Sequence, residues 1–167
     1  VTIESDGEDR WIDREPVDYH RLHPSELRQT IRNAGVVGLG GAGFPSAVKL
    51  NLAGRSEPLA TLMLNGAECE PWISCDDRLM RERAADIVAG LQIMAHLLEP
   101  QEVLIGIEDD KPEAIAAMTA ACAGTGYAVR PVPTRYPSGS VKQLVKLLTG
   151  KETPVDGLPV DVGVQCF

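Results

Sequence analysis

Short apolar runs alternate with longer segments of helical periodicity along this chain. The runs Leu59–Asn65 and Val103–Ile107 lack polar alternation, which is typical of strands buried on both faces, and Tyr127–Val132 is a third candidate strand. Between the first two runs, apolar residues at intervals of three and four predict a helix over Arg81–Leu98. Strands that alternate with helices of this length indicate a parallel sheet with right-handed crossovers.

Turn and capping residues place the remaining helices. The first is predicted to begin at His23-Pro24 and to stop at Gly35, and a short one runs from Pro45 through Lys49. Two more are predicted, one capped by Asp110 and ending at Gly124 and one over Ser138–Leu148. The sequence therefore predicts an α/β fold: a three-layer Rossmann-like domain with a mainly parallel sheet of about four strands and helices on both faces.

The two ends of the chain suggest a piece of a longer protein. Val1–Gly7 alternates as a strand does and closes on a turn, whereas the charged stretch that follows is typical of a linker. We expect residues 1–15 to be the end of a preceding β domain and a linker, 16–160 to be the α/β domain, and 161–167 to be the truncated start of a following domain.

Composition narrows the functional classes. The formal charge of −8 disfavours direct contact with nucleic acid or an anionic lipid surface. No apolar run approaches the ~20 residues of a membrane span, so we expect no direct membrane insertion. The four cysteines form no CxxC pair, which argues against a metal site and favours reduced thiols in a cytoplasmic setting.

The first candidate site is a loop that contains Gly38, Gly40, Gly41 and Gly43. It satisfies G-x-G-x-x-G, but a helix precedes it instead of a strand, so the standard dinucleotide fingerprint does not apply. Glycines still let a ligand approach the main chain, and the helix start beyond them favours a phosphate. Lys49 supplies a full positive charge one turn later. The alternative is a flexible surface loop.

Two further candidates follow predicted strands, where ligands of open α/β sheets bind. Asn65 can both donate and accept hydrogen bonds, and Glu68 and Glu70 follow it within five residues. The segment from Tyr136 to Ser140, which includes Gly139, opens the last helix and forms a second helix start that favours an anion. A solvated turn and a simple helix cap are the respective alternatives.

In this order and spacing, the three segments resemble the family of NADH-oxidising subunits of respiratory complex I. Gly38 to Lys49 looks like its flavin loop, Asn65–Pro71 like its second flavin motif, and the stretch from Tyr136 like its third. The segments Cys75–Met80 and Ile105–Pro112 look specifically like the family of C subunits of bacterial Rnf electron-transport complexes, which are ion-translocating oxidoreductases.

The resemblance implies noncovalent FMN with NADH as substrate. By matching position, the FMN contacts would come from the glycine loop, the lysine and the second motif, namely Gly38, Gly40, Gly41, Gly43, Lys49, Asn65 and Glu68. Phe44, Glu70, Tyr136 and Gly139 would lie on the nicotinamide side or in the third motif. No residue would be a covalent catalyst, because the cofactor carries the chemistry.

The resemblance also implies the wider setting. Electrons would pass between NADH and ferredoxin-like or iron–sulfur carriers, with 4Fe-4S clusters only in the full-length protein. Other subunits would hold the protein peripherally at the cytoplasmic face of the bacterial inner membrane and couple electron flow to ion translocation. As a fragment the chain would be inactive.

Two alternatives stay open at the sequence level. Leu39, Ala67 and Ser140-Val141 stand where complex I has an arginine, an acidic flavin contact and a glutamate pair. These departures favour a docking scaffold of the same complex that has lost the flavin. The other alternative is the flavin domain of a cobalamin-reductase-like protein.

Overall fold

The fold was analysed in a computed structural model that describes residues 2, 4–13, 15–39, 42–52 and 58–167. Four strands form one fully parallel sheet in the order β3-β2-β1-β4. They are β1 (Thr61–Gly66), β2 (Glu102–Glu108), β3 (Ala128–Val132) and β4 (Val164–Cys166). The predicted α/β class and parallel sheet are confirmed.

Six α-helices and two 3-10 helices surround the sheet in the described ranges. The α-helices are α1 (Pro24–Asn33), α2 (Ser46–Lys49), α3 (Cys75–Glu82), α4 (Ala84–Leu98), α5 (Pro112–Ala121) and α6 (Val141–Thr149). The 3-10 helices are Tyr19–Arg21 and Pro159–Val162.

The core has two parts because the side chains of each strand alternate between the sheet's faces. Leu62 and Ile105 belong to the larger cluster, together with apolar residues of α1, α3, α4 and α5. Met63 belongs to the smaller one, with Leu144 and Val145 of α6. Helices therefore cover both faces, as the continuous apolar strands required.

Several predicted elements differ from those observed. The described residues of the predicted first strand, Thr2 and 4–7, form no strand, and Val1 and Ile3 lie outside the described residues. The helix predicted over Arg81–Leu98 begins at Ala84 as α4, because the backbone at Arg83 leaves helical geometry (φ −131°, ψ 28°), and α3, which was not predicted, precedes it.

Two predicted helix starts are also shifted. The N-cap position of α5 is Lys111 rather than Asp110. The last helix begins at Val141, because Ser138 belongs to a preceding turn in which both its amide and its hydroxyl donate to the carbonyl of Arg135. Gly35 does follow α1 in the left-handed conformation (φ 68°), as predicted for a helix stop.

Strand β4 joins the sheet beside β1. Thr61 and Met63 pair with Val164 and Cys166, and the main chain of Phe167 continues the ladder to Met63 and Asn65. The proposed domain boundaries at 15 and 160 remain predictions; residues 164–166 are hydrogen bonded within this sheet.

Candidate functional site

The strand order places a topological switch point between β1 and β4. From β1 the chain proceeds through β2 to β3 on one side, and β4 lies on the other side of β1. The loop that leaves β1 runs toward β2, away from β4, and ligands of open α/β sheets bind beyond the carboxyl ends of the strands where the connectivity reverses. The candidate motifs lie at or near this edge of the sheet.

The residues on either side of the glycine loop pair with each other just before α2. Val37 and Pro45 form an antiparallel bridge, and the Gly38 amide donates to the carbonyl of Phe44 at 2.9 Å. Gly43 has φ 59°, a left-handed conformation that favours glycine. Gly40 and Gly41, the centre of the predicted phosphate loop, lie outside the described residues. Phe44 is about half exposed.

Lys49 connects this loop to the switch point. Its ammonium group donates to the carbonyl of Cys166 at 3.1 Å and lies 5.2 Å from the centre of the Phe167 ring. The main-chain amide of Asn65 in turn donates to the carbonyl of Phe167 at 2.7 Å. Helix α2, which follows the loop, and the end of β1 are therefore both hydrogen bonded to the end of β4.

Asn65 joins the second motif to the third. Its side-chain NH2 group donates to the carbonyl of Gly139 at 2.9 Å, and its side-chain oxygen accepts from the amide of Ala67 at 3.1 Å. Gly139 packs directly on this turn, since a Cβ built there would lie 2.3 Å from the Ala67 carbonyl oxygen and 3.0 Å from the sulfur of Cys69. The two turns form one unit that has no room for a side chain between them.

Glu68 is buried and caps helix α3. Its two carboxylate oxygens accept from the amides of Asp76 (2.9 Å) and Asp77 (3.2 Å), and the Cys75 thiol donates to it at 3.3 Å. Burial would raise the pKa of Glu68, but these hydrogen bonds and the nearby charge of Lys111 outweigh it, so the pKa lies below its usual value.

The remaining predicted site residues are exposed. Tyr136 is 74% exposed, in the turn before Gly139. Glu70 is also exposed, and its charge contributes to a raised pKa of Asp76, after desolvation and the charge of Glu68. Among the predicted residues that are described, the structure brings Lys49, Asn65, Glu68 and Gly139 to the carboxyl edge of the sheet through specific bonds.

Sequence reasoning missed an ion pair at the same edge. Glu108, the last residue of β2, is 1% exposed and bonded to Lys111. Lys111 also contacts the carboxylate of Asp110 at 3.3 Å and the carbonyl of Glu68 at 3.5 Å. The sequence signal for this pair is a glutamate at the end of an apolar strand with a lysine three residues later.

Glu68, Cys75 and Asp76 offer ligand atoms within 4.8 Å of one another in the part of the chain that the structure describes. Both oxygens of Glu68 already accept backbone amides at the N-terminus of α3, where the helix dipole disfavours a cation. The arrangement is a helix cap, and we assign no metal to it.

The thiol of Cys75 should be slow to alkylate despite its exposure. Its hydrogen bond to Glu68 and, less strongly, desolvation and the charges of Asp76 and Glu68 raise its pKa. We expect iodoacetamide at pH 8 to modify Cys75 several-fold more slowly than the same residue in the unfolded chain, as followed by peptide mass spectrometry. Glu68→Gln should accelerate it, and equal rates in both proteins would contradict this assignment. Cys166, whose pKa burial raises to about 11, provides the protected reference.

Comparison with known proteins agrees with this architecture. Residues 31–167 match the family model described as the Nuo51 FMN-binding domain. Among solved structures, the NAD+-reducing NiFe-hydrogenase in its H2-reduced state is similar with a TM-score of 0.64 and 25% identity, over 80% of this chain and 25% of that one. The chain belongs to the Nuo51 FMN-binding domain family.

Within that family it is similar to the C subunits of ion-translocating oxidoreductase complexes. It is 54% identical over 167 residues to the C subunit of Pseudomonas aeruginosa, covering 99% of this chain and 21% of that protein. It is 58% identical over 156 residues to the Serratia proteamaculans protein of the same name, covering 92% and 22%. The chain thus spans about a fifth of the length of the curated relatives it matches. The resemblance inferred from the motifs is confirmed.

One further finding concerns the membrane. In the described ranges, no helix combines the length and apolar character that crossing a bilayer requires.

Proposed function

We propose that this domain binds FMN noncovalently at the switch point between β1 and β4 and serves as the flavin domain of a protein in an electron-transfer complex. The observation that carries the proposal is the junction of Lys49, which follows the glycine loop, with the carboxyl ends of β4 and β1. Glycine-rich main chain, a cation and a strand-end asparagine are the groups that a phosphorylated heterocycle requires.

The residues fit FMN in their chemistry. Lys49, which follows the glycine loop in the chain, supplies positive charge for a phosphate. Asn65 and Glu68 set the shape of the turn after β1, because each is bonded to the main chain of neighbouring turns. Phe44, Glu70 and Tyr136 expose side chains for a nicotinamide nucleotide. When bound, FMN supplies the exchange between two-electron hydride chemistry and one-electron transfer.

In the full-length protein, we propose that NADH is the hydride donor and that ferredoxin-like or 4Fe-4S carriers are the electron partners. The relatives' description as subunits of ion-translocating oxidoreductase complexes supports this setting. We propose attachment through partner subunits at the cytoplasmic face of an inner membrane, because the relatives are named as subunits of ion-translocating complexes.

Replacing the lysine tests the flavin site. We expect Lys49→Met in the full-length protein to weaken FMN binding about tenfold or more, because a charge-assisted contact with the phosphate is lost. Quenching of flavin fluorescence during titration measures the affinity. Lys146→Met is the matched control, since Lys146 is half exposed and paired with Glu152 on the outside of α6. A wild-type full-length protein that takes up no FMN would refute the proposed function.

One observation favours the scaffold alternative. Lys49, Asn65 and Glu68 all have partners within the protein itself, so none requires a ligand for its hydrogen bonding. A scaffold predicts that Lys49→Met leaves both assembly and turnover of the complex unchanged. The flavin site predicts that assembly survives while NADH-dependent turnover falls.

A further inference from the structure

The ion pair of Glu108 and Lys111 occupies the centre of the sheet's carboxyl edge. Glu108 ends β2, which lies between β1 and β3. A Cβ at Gly106 would meet the side chains of Leu144 and Leu148, so Glu108, two residues on, faces the same side as α6. The side chains are 2% exposed for Glu108 and 14% for Lys111.

Lys111 links the turns that leave two neighbouring strands. Its ammonium group is bonded to Glu108 at the end of β2 and to Asp110, and it reaches across to the carbonyl of Glu68 in the turn after β1. Its charge also contributes to the lowered pKa of Glu68, after the hydrogen bonds from Asp76, Asp77 and Cys75. The lysine is therefore close to both the main chain and the carboxylate of this residue.

Stability alone is a poor explanation for the pair. The second carboxylate oxygen of Glu108 is buried and has no hydrogen-bond partner among the described residues. Leaving a buried charged acceptor unpaired costs free energy, and apolar residues of similar volume often replace a buried ion pair without loss of stability. A costly pair at the edge that carries the candidate motifs points to a role in the site.

We propose that Glu108 and Lys111 are positioning residues that fix the turn after β1 for ligand binding. Glu108 holds the ammonium group in place, and the ammonium group holds the carbonyl of Glu68. The segment Gly66–Ser74, which contains the second motif except for Asn65, thereby keeps one position relative to β2. This inference rests on the proposed FMN function for its consequence, but the positioning itself is a property of the ligand-free protein.

The test removes both charges together, because removing one would leave the other buried and unpaired. In the full-length protein, we expect the double variant E108M/K111M to keep its melting temperature within about 3 °C of wild type or to raise it. FMN affinity should fall about tenfold, the size of one lost hydrogen bond to a charged group. Lys111→Arg, which retains a charged donor, should keep affinity within about threefold of wild type. The control is E113Q, which removes the exposed pair between Glu113 of α5 and Arg81 of α3.

Hydrogen exchange of the flavin-free protein separates this inference from the proposed function. We expect amides of residues 66–77 to exchange faster in the double variant, while those of β2 are unchanged. If the double variant exchanges faster and the wild-type protein takes up no FMN, the positioning role is supported and the flavin function is refuted. Unchanged exchange, unchanged FMN affinity, or a large fall in melting temperature that accompanies the affinity loss would overturn the positioning role.

Discussion

Gly139→Ala should destabilise the domain by about 3 kcal/mol, at the upper end of the range for overpacked sites. The added methyl group would lie 2.3 Å from the carbonyl oxygen of Ala67, which is main chain and cannot rotate away. To make room, the turn before α6 must move off the turn after β1, and the bond from Asn65 to the Gly139 carbonyl is then lost. Urea unfolding followed by circular dichroism measures the change.

A second glycine gives the matched control. Gly90 lies within α4, where an added Cβ meets nothing within 4 Å. Gly90→Ala should therefore stabilise the protein by about 0.5–1 kcal/mol, the usual gain within a helix. If Gly139→Ala unfolds at the same urea concentration as wild type, the two turns do not pack as described. In the full-length protein this substitution should also weaken FMN uptake, because both motifs are displaced.

The second large effect is expected for Glu68→Gln, with a loss of about 3 kcal/mol near neutral pH. Glutamine has almost the same shape, but its NH2 group faces one of the two backbone amides that the carboxylate accepts, so a buried donor is left unpaired. Glu82→Gln, at the last residue of α3, is the control. Glu82 forms an exposed pair with Arg78, and its loss should cost less than about 0.5 kcal/mol.

The effect of Glu68→Gln should depend on pH in a defined direction. Because the pKa of Glu68 in the folded state lies below its usual value of 4.5, the carboxylate stabilises the folded state fully above that pH. The difference between the two proteins should be complete at pH 7, shrink as the pH falls below about 4.5, and vanish below the folded-state pKa. A constant difference from pH 7 to pH 3 would show that the charge of Glu68 does not act as a cap.

The parts of the fold that depend on local sequence were predictable. The strands β1 and β2 follow from continuous apolar runs, and Gly35 marks the end of α1 because a left-handed residue is needed there. Helix α3 was missed because most of its residues are charged, and the break at Arg83 was missed because no proline or glycine marks it. Strand β4 was missed as part of this sheet because three residues give no usable periodicity.

The candidate site was predictable only in its motifs. Asn65 and Gly139 were identified separately, whereas the bond between them joins residues that are 74 positions apart and follows from the tertiary fold. The structure gives Glu68 a role that the sequence analysis did not assign, because Glu68 caps α3, a helix that was not predicted. The Glu108–Lys111 pair was missed because charged residues after a strand usually indicate a solvated turn.

The position of β4 also bears on biosynthesis. Strand β1 is hydrogen bonded on one side to β2 and on the other to residues roughly a hundred positions later, a separation that slows folding. While the ribosome is still translating the intervening helices, one edge of β1 has no partner, and Lys49 has no carbonyl of Cys166 to bind. The second edge of β1 can be paired, and Lys49 can bind its carbonyl, only after Phe167 has left the exit tunnel.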